Sequence, residues 1–189
     1  MFIKIKMSRI GKKTISIPVG VTLEIKNHTI LVSGPLGELS QRISSRLQLE
    51  LKKNNQEIKL KIFTKSKGDR SLHGLYRSLI HNMFVGVTQG FTKELVLVGV
   101  GYRVSIQGQR LEITLGFSHN IIMETPKEIK METKSEKGKN SIIILKSHNK
   151  QLLGTVAAKI RSLKKPDVYQ GKGIRYLGEE VRKKVGKSA

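Results

Sequence analysis

The chain has 189 residues, of which 36 are Lys or Arg and 14 are Asp or Glu, so its formal net charge is +22. A field of this sign attracts polyanions, and nucleic acid is the expected partner. The absence of Cys excludes disulfides and thiolate metal sites. No apolar run approaches the roughly 20 residues that cross a bilayer, so we expect no membrane partner.

The first half of the chain predicts a small sheet followed by a helix. Residues 8–13, SRIGKK, are basic and lack periodicity, which fits either an N-terminal arm that becomes ordered on binding or a disordered terminus. Between residues 21 and 63, short stretches alternate apolar and polar positions as antiparallel strands do, and Asn27-His28 predicts a hairpin turn between two of them. The spacing of apolar residues then becomes helical from residue 72 to residue 83, with Ser66 or Asp69 as the N-cap.

The second half repeats this order. Alternating stretches between residues 95 and 145 predict further strands, and helical spacing between residues 152 and 163 predicts a helix that Pro166 ends. The halves match at a separation of about 80 residues, as at Leu72 and Leu152, which indicates a duplication. The expected fold is α+β, with two tandem similar domains, each a small antiparallel sheet packed with one helix, and a basic C-terminal tail.

These patterns also set the expected domain limits. We predict a basic N-terminal arm at 1–14, an N-terminal α+β domain at 15–85, a C-terminal α+β domain at 86–166, and a basic RNA-binding segment and tail at 167–189.

Residues suited to catalysis are few. None of the five His residues forms a metal-binding spacing such as HExxH, and the only aspartates are Asp69 and Asp167. A Ser/His/Asp triad or a two-metal carboxylate site therefore lacks its material. We expect no enzyme, no metal and no cofactor.

The segment from Lys164 to Lys187 combines many cations with glycines and two tyrosines, against only three acidic residues. Ammonium groups neutralise phosphates while planar rings stack on unpaired bases, so this composition favours RNA. The other interpretation is a solvated, disordered tail. The candidate RNA-binding residues are Lys164, Lys165, Tyr169, Lys172, Arg175, Tyr176, Arg182, Lys183, Lys184 and Lys187.

Several segments resemble one family. PDVYQGKGIRY, at 166–176, resembles the C-terminal signature of the sixth large-subunit ribosomal protein, and SRIGKKTISIPVGV, at 8–21, is similar to the start of its bacterial and plastid members. HGLYRSLIHNMFVGVTQGF, LVGVGYRV and LGFSHN follow in the same order as in the family. The resemblance covers residues 8–187, and at this point it favours rRNA binding over a disordered tail.

The resemblance implies two α+β domains that bind large-subunit rRNA near the elongation-factor site, beside the sarcin-ricin loop and the base of the stalk. The implied partners are that rRNA, neighbouring large-subunit ribosomal proteins and nearby translation factors. The Lys and Ile content favours a plastid ribosome over the bacterial cytoplasm. Three positions depart from the family's pattern: Gln170 replaces a Lys, Leu36 stands where Lys is common, and Asn120 replaces a common Pro. The alternatives are a free RNA-binding or nucleoid protein and an RNA-acting enzyme.

Overall fold

The computed structural model describes residues 9–52, 57–63, 66–135 and 140–186. The chain forms two compact units that divide between Gly90 and Phe91. Each unit encloses its own hydrophobic core, and in the described residues the first unit combines two helices, and the second one helix, with antiparallel strands. This arrangement confirms the expected α+β class. The expected limit at 85/86 stays a prediction.

The described part of the first unit begins with a short helix and ends with a long one. Its strands lie in two sheets rather than one, in the orders β2-β3-β4 and β1-β6-β5, and all pairs are antiparallel. The elements are α1 (Arg9–Lys12), β1 (Ile15–Ser16), β2 (Thr22–Lys26), β3 (Thr29–Gly34), β4 (Gly37–Arg42), β5 (Leu47–Lys52), β6 (Glu57–Ile62) and α2 (Lys67–Thr88).

The hairpin between β2 and β3 turns at Asn27 and His28, as predicted. Their φ angles are 45° and 60°, so both residues are left-handed. Two consecutive left-handed residues form the tight turn whose twist matches that of the flanking strands, and Asn adopts this conformation more readily than most residues. Lys26 and Thr29 consequently pair directly across the turn.

Helix α2 is fixed at both ends. Ser66 is its N-cap, as predicted, and the Ser66 hydroxyl accepts a hydrogen bond from the Asp69 amide at 3.1 Å. At the other end, the Leu36 amide of the β3–β4 turn donates to the Val87 carbonyl oxygen at 3.0 Å. Because Val87 is fully buried, the last turn of α2 belongs to the first core.

The second unit has a three-stranded and a four-stranded sheet, in the orders β10-β9-β8 and β11-β12-β7-β13. Helix α3 contacts β7, β12 and β13. The elements are β7 (Phe91–Val98), β8 (Arg103–Gln107), β9 (Arg110–Thr114), β10 (Ile121–Glu124), β11 (Lys130–Lys134), β12 (Ser141–Ser147), α3 (Lys150–Leu163) and β13 (Gly173–Tyr176).

The core of the second unit lies between the two sheets and α3. Leu95, Leu97, Ile143 and Leu145 project from β7 and β12, where alternate residues share a face. Helix α3 contributes Leu153, Val156, Ala157 and Ile160, and its N-terminus is capped by the Asn149 side chain, which accepts from the Gln151 and Leu152 amides. The smaller sheet adds Leu111, Ile113 and Met123.

The structure corrects one expectation about the C-terminal segment. We expected 167–189 to lie outside the second core, because the second helix ends before Pro166. Instead β13 pairs with β7 along its whole length, and Ile174 is fully buried in the core. Part of the signature, Gly173–Tyr176, is thus the edge strand of the four-stranded sheet of the second unit.

The helices of the two units correspond residue by residue. Leu72 and Leu152 are partly buried against their own cores, while Ile80 and Ile160 are fully buried in them. The match found in the sequence therefore reflects equivalent packing of α2 and α3. No helix in the described residues is long and apolar enough to span a membrane.

Candidate nucleic-acid interface

The signature loop, residues 164–172, connects α3 to β13 and is shaped by Asp167. The Asp167 amide donates to the Lys172 carbonyl oxygen at 2.8 Å, and the Gly171 amide donates to the Asp167 carbonyl oxygen at 2.8 Å. The Asp167 carboxylate accepts the Gln170 amide at 2.8 Å. These hydrogen bonds pair backbone groups of the loop with one another and with the Asp167 carboxylate. The other side chains at the tip of the loop are therefore not needed for these bonds and remain exposed to solvent.

Glycine is required where the signature loop enters β13. Gly173 has a φ of +141°, and a Cβ there would lie 2.6 Å from the Lys165 carbonyl oxygen and 2.8 Å from the Pro166 Cα. Both neighbours are backbone, which cannot move aside easily. The close approach lets the Ile174 amide donate to the Lys164 carbonyl oxygen at 2.8 Å, which closes the base of the loop.

Three predicted residues lie exposed on this loop. Lys165, Tyr169 and Lys172 are accessible to solvent, and Tyr169 is 58 % exposed. Gln170, where the resemblance led us to expect Lys, is also exposed, and its backbone amide donates to the Asp167 carboxylate. Lys164 is half-buried, because its ammonium lies 4.2 Å from the centroid of the Phe117 ring.

Arg175 and Tyr176 lie in β13 and differ from the loop residues. Arg175 pairs with Val96 and Tyr176 with Leu95, so the two side chains project to opposite faces of the sheet. Tyr176 shares the face of Ile174 and packs against the second core. The side chains of β13 therefore alternate as in an ordinary strand, with Ile174 inside and Arg175 on the other face.

The Tyr176 ring is surrounded by protein groups. The Lys93 ammonium lies 5.4 Å, and the Arg161 guanidinium carbon 5.8 Å, from its centroid. The Tyr176 amide donates to the Glu179 carboxylate at 3.0 Å. An aromatic ring held in this way contributes to the core as well as to the surface, so RNA stacking by Tyr176 stays a prediction.

Glu179 links the end of β13 to α3. Its carboxylate accepts two hydrogen bonds from the Arg161 guanidinium, from Nε at 3.1 Å and from Nη2. The hydrogen bond from Arg161, followed by that from the Tyr176 amide, lowers the pKa of Glu179, and the same ion pair raises the pKa of Arg161. The bidentate pair fixes the chain just beyond the sheet.

The basic tail, residues 177–186, returns to the signature loop. The Lys184 amide donates to the Val168 carbonyl oxygen at 3.0 Å, and a Cβ at Gly171 would lie 3.6 Å from the Lys183 side chain. Arg182, Lys183 and Lys184 are exposed. The structure therefore brings the tail cations to the loop that carries Tyr169 and Lys172. The remaining predicted residue, Lys187, lies outside the described residues.

Two aromatic residues beside this surface were missed in the sequence. Phe117 and His119 lie in the loop between β9 and β10, and their rings are nearly parallel, with centroids 6.2 Å apart and an interplanar angle of 19°. The segment LGFSHN, in which two aromatic residues at positions i and i+2 follow a Gly, could have pointed to them. Only the structure shows that Lys164 contacts Phe117.

The described residues contain no group of three or more His, Asp or Glu side chains that could hold a metal ion. The surface is therefore built from cations, aromatic rings and backbone, a composition suited to binding a polyanion by charge and stacking.

The amino-acid sequence matches the family of ribosomal protein L6 over residues 17–90 and 98–177. The chain belongs to the ribosomal protein L6 family. The large ribosomal subunit protein uL6 of Parabacteroides distasonis is 55 % identical to it over 183 residues, which cover 97 % of this chain and 99 % of the relative. The proteins of that name from Porphyromonas gingivalis and Flavobacterium psychrophilum are 55 % and 53 % identical, with 97 % of this chain and 99 % and 100 % of the relatives covered.

Membership of the ribosomal protein L6 family confirms several expectations. The two matched segments confirm the tandem repeat, and the relatives confirm the bacterial type of the sequence. Membership supports a structural role in the large ribosomal subunit. The relatives are named as ribosomal proteins and not as enzymes, which confirms the expectation that the chain is not an enzyme.

One expectation about the source finds no support. The Lys and Ile content favoured a plastid ribosome, but the relatives described above come from bacteria. Lys and Ile content does not identify the source of a protein, because nucleotide bias changes this content in any genome. Sequence identity to relatives along the whole chain instead reflects common descent.

Proposed function

We propose that this chain binds large-subunit rRNA through the signature loop and the basic tail, and that it supports translation as a structural part of the subunit. The proposed contact residues on these two segments are Lys164, Lys165, Tyr169, Lys172, Arg182, Lys183 and Lys184, and Lys187, which follows the basic tail in the sequence, is proposed with them. Arg175 and Tyr176 in β13 complete the set.

The observation that carries this proposal is the uncompensated charge of the surface. Two of its acidic groups are engaged internally, Asp167 with the Gln170 amide and Glu179 with Arg161. Within the described part of the chain, no ion pair engages the exposed cations of the loop and tail, which are Lys165, Lys172, Arg182, Lys183 and Lys184. Such cations gain most from meeting phosphates, since binding releases the counterions condensed on the RNA.

The finer location of the contact is suggested by the family resemblance and belongs to the same proposal. We place the contact beside the sarcin-ricin loop and the base of the stalk, near the site where elongation factors act. Neighbouring large-subunit ribosomal proteins and translation factors are then the proposed protein partners. Family membership supports this location, and the two-segment basic surface supplies the charge that it requires.

The salt dependence of rRNA binding tests this proposal. Lys172, Arg182, Lys183 and Lys184 are replaced together by Gln, and filter binding to large-subunit rRNA is measured from about 50 to 200 mM salt. The slope of the logarithm of the binding constant against the logarithm of the salt concentration should become shallower by about 0.7 to 0.9 for each lost phosphate contact. Because the variant lacks four cations, its slope should be shallower than that of the parent chain by about 3.

A matched control carries the same charge change in the first unit. Lys12, Lys13, Arg42 and Lys67 are all exposed, and their replacement by Gln should leave most of the slope intact. Equal losses in the two variants would show that total charge, and not this surface, determines binding. Co-sedimentation of the intact chain with large subunits after a high-salt wash separates a subunit protein from a free RNA-binding or nucleoid protein.

A further inference from the structure

The loop between β9 and β10 presents aromatic rings to solvent at the edge of the basic surface. Phe117 is 41 % exposed and His119 is exposed. The two rings are nearly parallel and stacked on one another, with centroids 6.2 Å apart. We call this pair of rings the aromatic platform.

The aromatic platform stands on a fixed base. Gly116 has a φ of +72°, which turns the chain out of β9 directly after the fully buried Leu115. On the far side, the Asn120 amide nitrogen donates to Glu112 at 2.9 Å, and its oxygen accepts from the Thr114 hydroxyl at 3.0 Å. The loop that carries the rings is therefore held at both ends, which limits the entropy lost on binding.

Lys164 joins the platform to the signature loop. Its ammonium lies 4.2 Å from the centroid of the Phe117 ring, while its carbonyl oxygen accepts from the Ile174 amide. One residue thus belongs to both segments, and Lys165 follows it directly. The platform and the cations of the loop form one continuous surface.

We propose that Phe117 and His119 form a stacking site for an unpaired base of RNA, and that Lys164 binds the phosphate of the same nucleotide. The site rests on the proposed rRNA binding and adds a defined contact to it. A nucleotide offers a flat π-face and an anionic phosphate, and this surface offers a stacked pair of exposed rings with an ammonium group over the Phe117 ring. A base inside a duplex is covered on both faces, so the target is a loop, a bulge or a strand end.

The charge of the surface favours RNA over a neighbouring protein as the occupant. Lys164 contacts the platform, Lys165 and Lys172 lie in the same signature loop as Lys164, and the net charge of the whole chain is +22. Neighbouring proteins with basic surfaces would be repelled, whereas a phosphate chain would be attracted. A protein contact is kept as an outcome of the test.

The test uses the full chain and large-subunit rRNA. Phe117→Leu keeps an apolar side chain but removes the π-face, and it is combined with His119→Ala. Loss of one stacked base should raise Kd about 5- to 150-fold. The dependence of Kd on salt concentration should stay unchanged, because no phosphate contact is lost. Lys164→Gln should instead lower the slope by about 0.7 to 0.9. Phe117→Tyr, which keeps the ring face, should bind as the parent chain does.

Phe63→Leu is the matched control, because Phe63 is 67 % exposed and lies in the first unit. It should leave Kd unchanged. If the parent chain binds rRNA and the Phe117→Leu, His119→Ala variant binds equally well, the stacking site is overturned while rRNA binding stands. A variant that binds free rRNA normally but fails to enter subunits would assign the platform to a protein neighbour, which also overturns the proposal.

If the parent chain does not bind rRNA, the proposed function itself is contradicted. This outcome differs from the loss of the stacking site alone, in which rRNA binding stands. Circular dichroism melts monitor folding in every case. If Phe117→Leu unfolds the second unit, His119→Ala alone decides, since that side chain is exposed and lies outside the core cluster. A Kd for His119→Ala equal to that of the parent chain would then overturn the site.

Discussion

Ile174 lies directly opposite Leu97 in the four-stranded sheet, and its amide also donates to the carbonyl oxygen of Lys164. Both side chains are buried in the second core. The strand that completes this core is therefore the one that closes the base of the signature loop. Stability of the second unit and the position of the proposed RNA contact are coupled through one residue.

Ile174→Ala should destabilise the second unit. Removing a fully buried Ile side chain costs about 2–5 kcal/mol, because transfer free energy is lost and a cavity remains. Urea unfolding followed by circular dichroism measures the change. Val185→Ala is the control, since Val185 is 97 % exposed and its truncation should change stability by less than about 0.5 kcal/mol. Equal stabilities of the two variants would contradict the burial of β13.

Gly173→Ala should also destabilise, and for a different reason. Gly173 and Gly178 both have positive φ, at +141° and +81°, but a Cβ meets backbone atoms only at Gly173 and open space at Gly178. Gly178→Ala should therefore cost about 1–2 kcal/mol for the strained backbone alone. Gly173→Ala should reduce the free energy of unfolding clearly more than Gly178→Ala does, in the same unfolding experiment. A smaller loss for Gly173→Ala than for Gly178→Ala would contradict the close approach of Gly173 to Lys165 and Pro166.

The Glu179–Arg161 pair predicts a pH-dependent contribution to stability. Because the pKa of Glu179 is lower in the folded chain than its ordinary value of 4.5, the carboxylate stabilises the fold above that ordinary value. This stabilisation is lost as the pH falls through the lowered pKa. Glu179→Gln should therefore reduce the free energy of unfolding, relative to the parent chain, by more at about pH 7 than at about pH 3.

Glu180→Gln provides the control for that pH dependence. Glu180 is the exposed neighbour of Glu179, so the two changes remove the same charge from adjacent positions. A pH-dependent loss of the same size in both variants would mean that overall charge is responsible and that the ion pair with Arg161 contributes nothing.

The division between Gly90 and Phe91 predicts where the chain can be cut. A fragment of residues 1–90 and a fragment of residues 91–189 should each give a cooperative thermal melt, with modest stability because small units bury little surface. A fragment ending at Val85 should be less stable, since it lacks the buried Val87 that accepts the Leu36 amide. Identical melts for the fragments ending at 85 and 90 would contradict this role of Val87.

Local rules predicted the parts of the fold that depend on neighbours in the sequence. The hairpin at Asn27 and His28 and the helix after Ser66 were found because turn and capping preferences act over a few residues. The strand β13 was missed, since GIRY has a basic residue and its partner β7 lies far away in the sequence. A strand that short is defined by its pairing more than by its composition.

The candidate site was predicted unevenly for the same reason. The cations and Tyr169 were identified from composition, because charge and exposure can be read directly from the sequence. Asp167 was counted only as an acid, although its carboxylate shapes the loop. The contact between Lys164 and Phe117 joins two segments that are distant in the sequence, and no periodicity or spacing reports such a contact.

The most direct test of the proposed rRNA contact uses the absence of Cys in this chain. A single Gln170→Cys substitution accepts a tethered iron–EDTA probe, and the loop should keep its shape because only the Gln170 amide is used there. Gln48→Cys, at an exposed position in β5, is the matched control. In assembled large subunits, the probe at 170 should cleave rRNA at the sarcin-ricin loop and the stalk base, more strongly than the probe at 48. Absence of rRNA cleavage from position 170 would contradict the proposed interface.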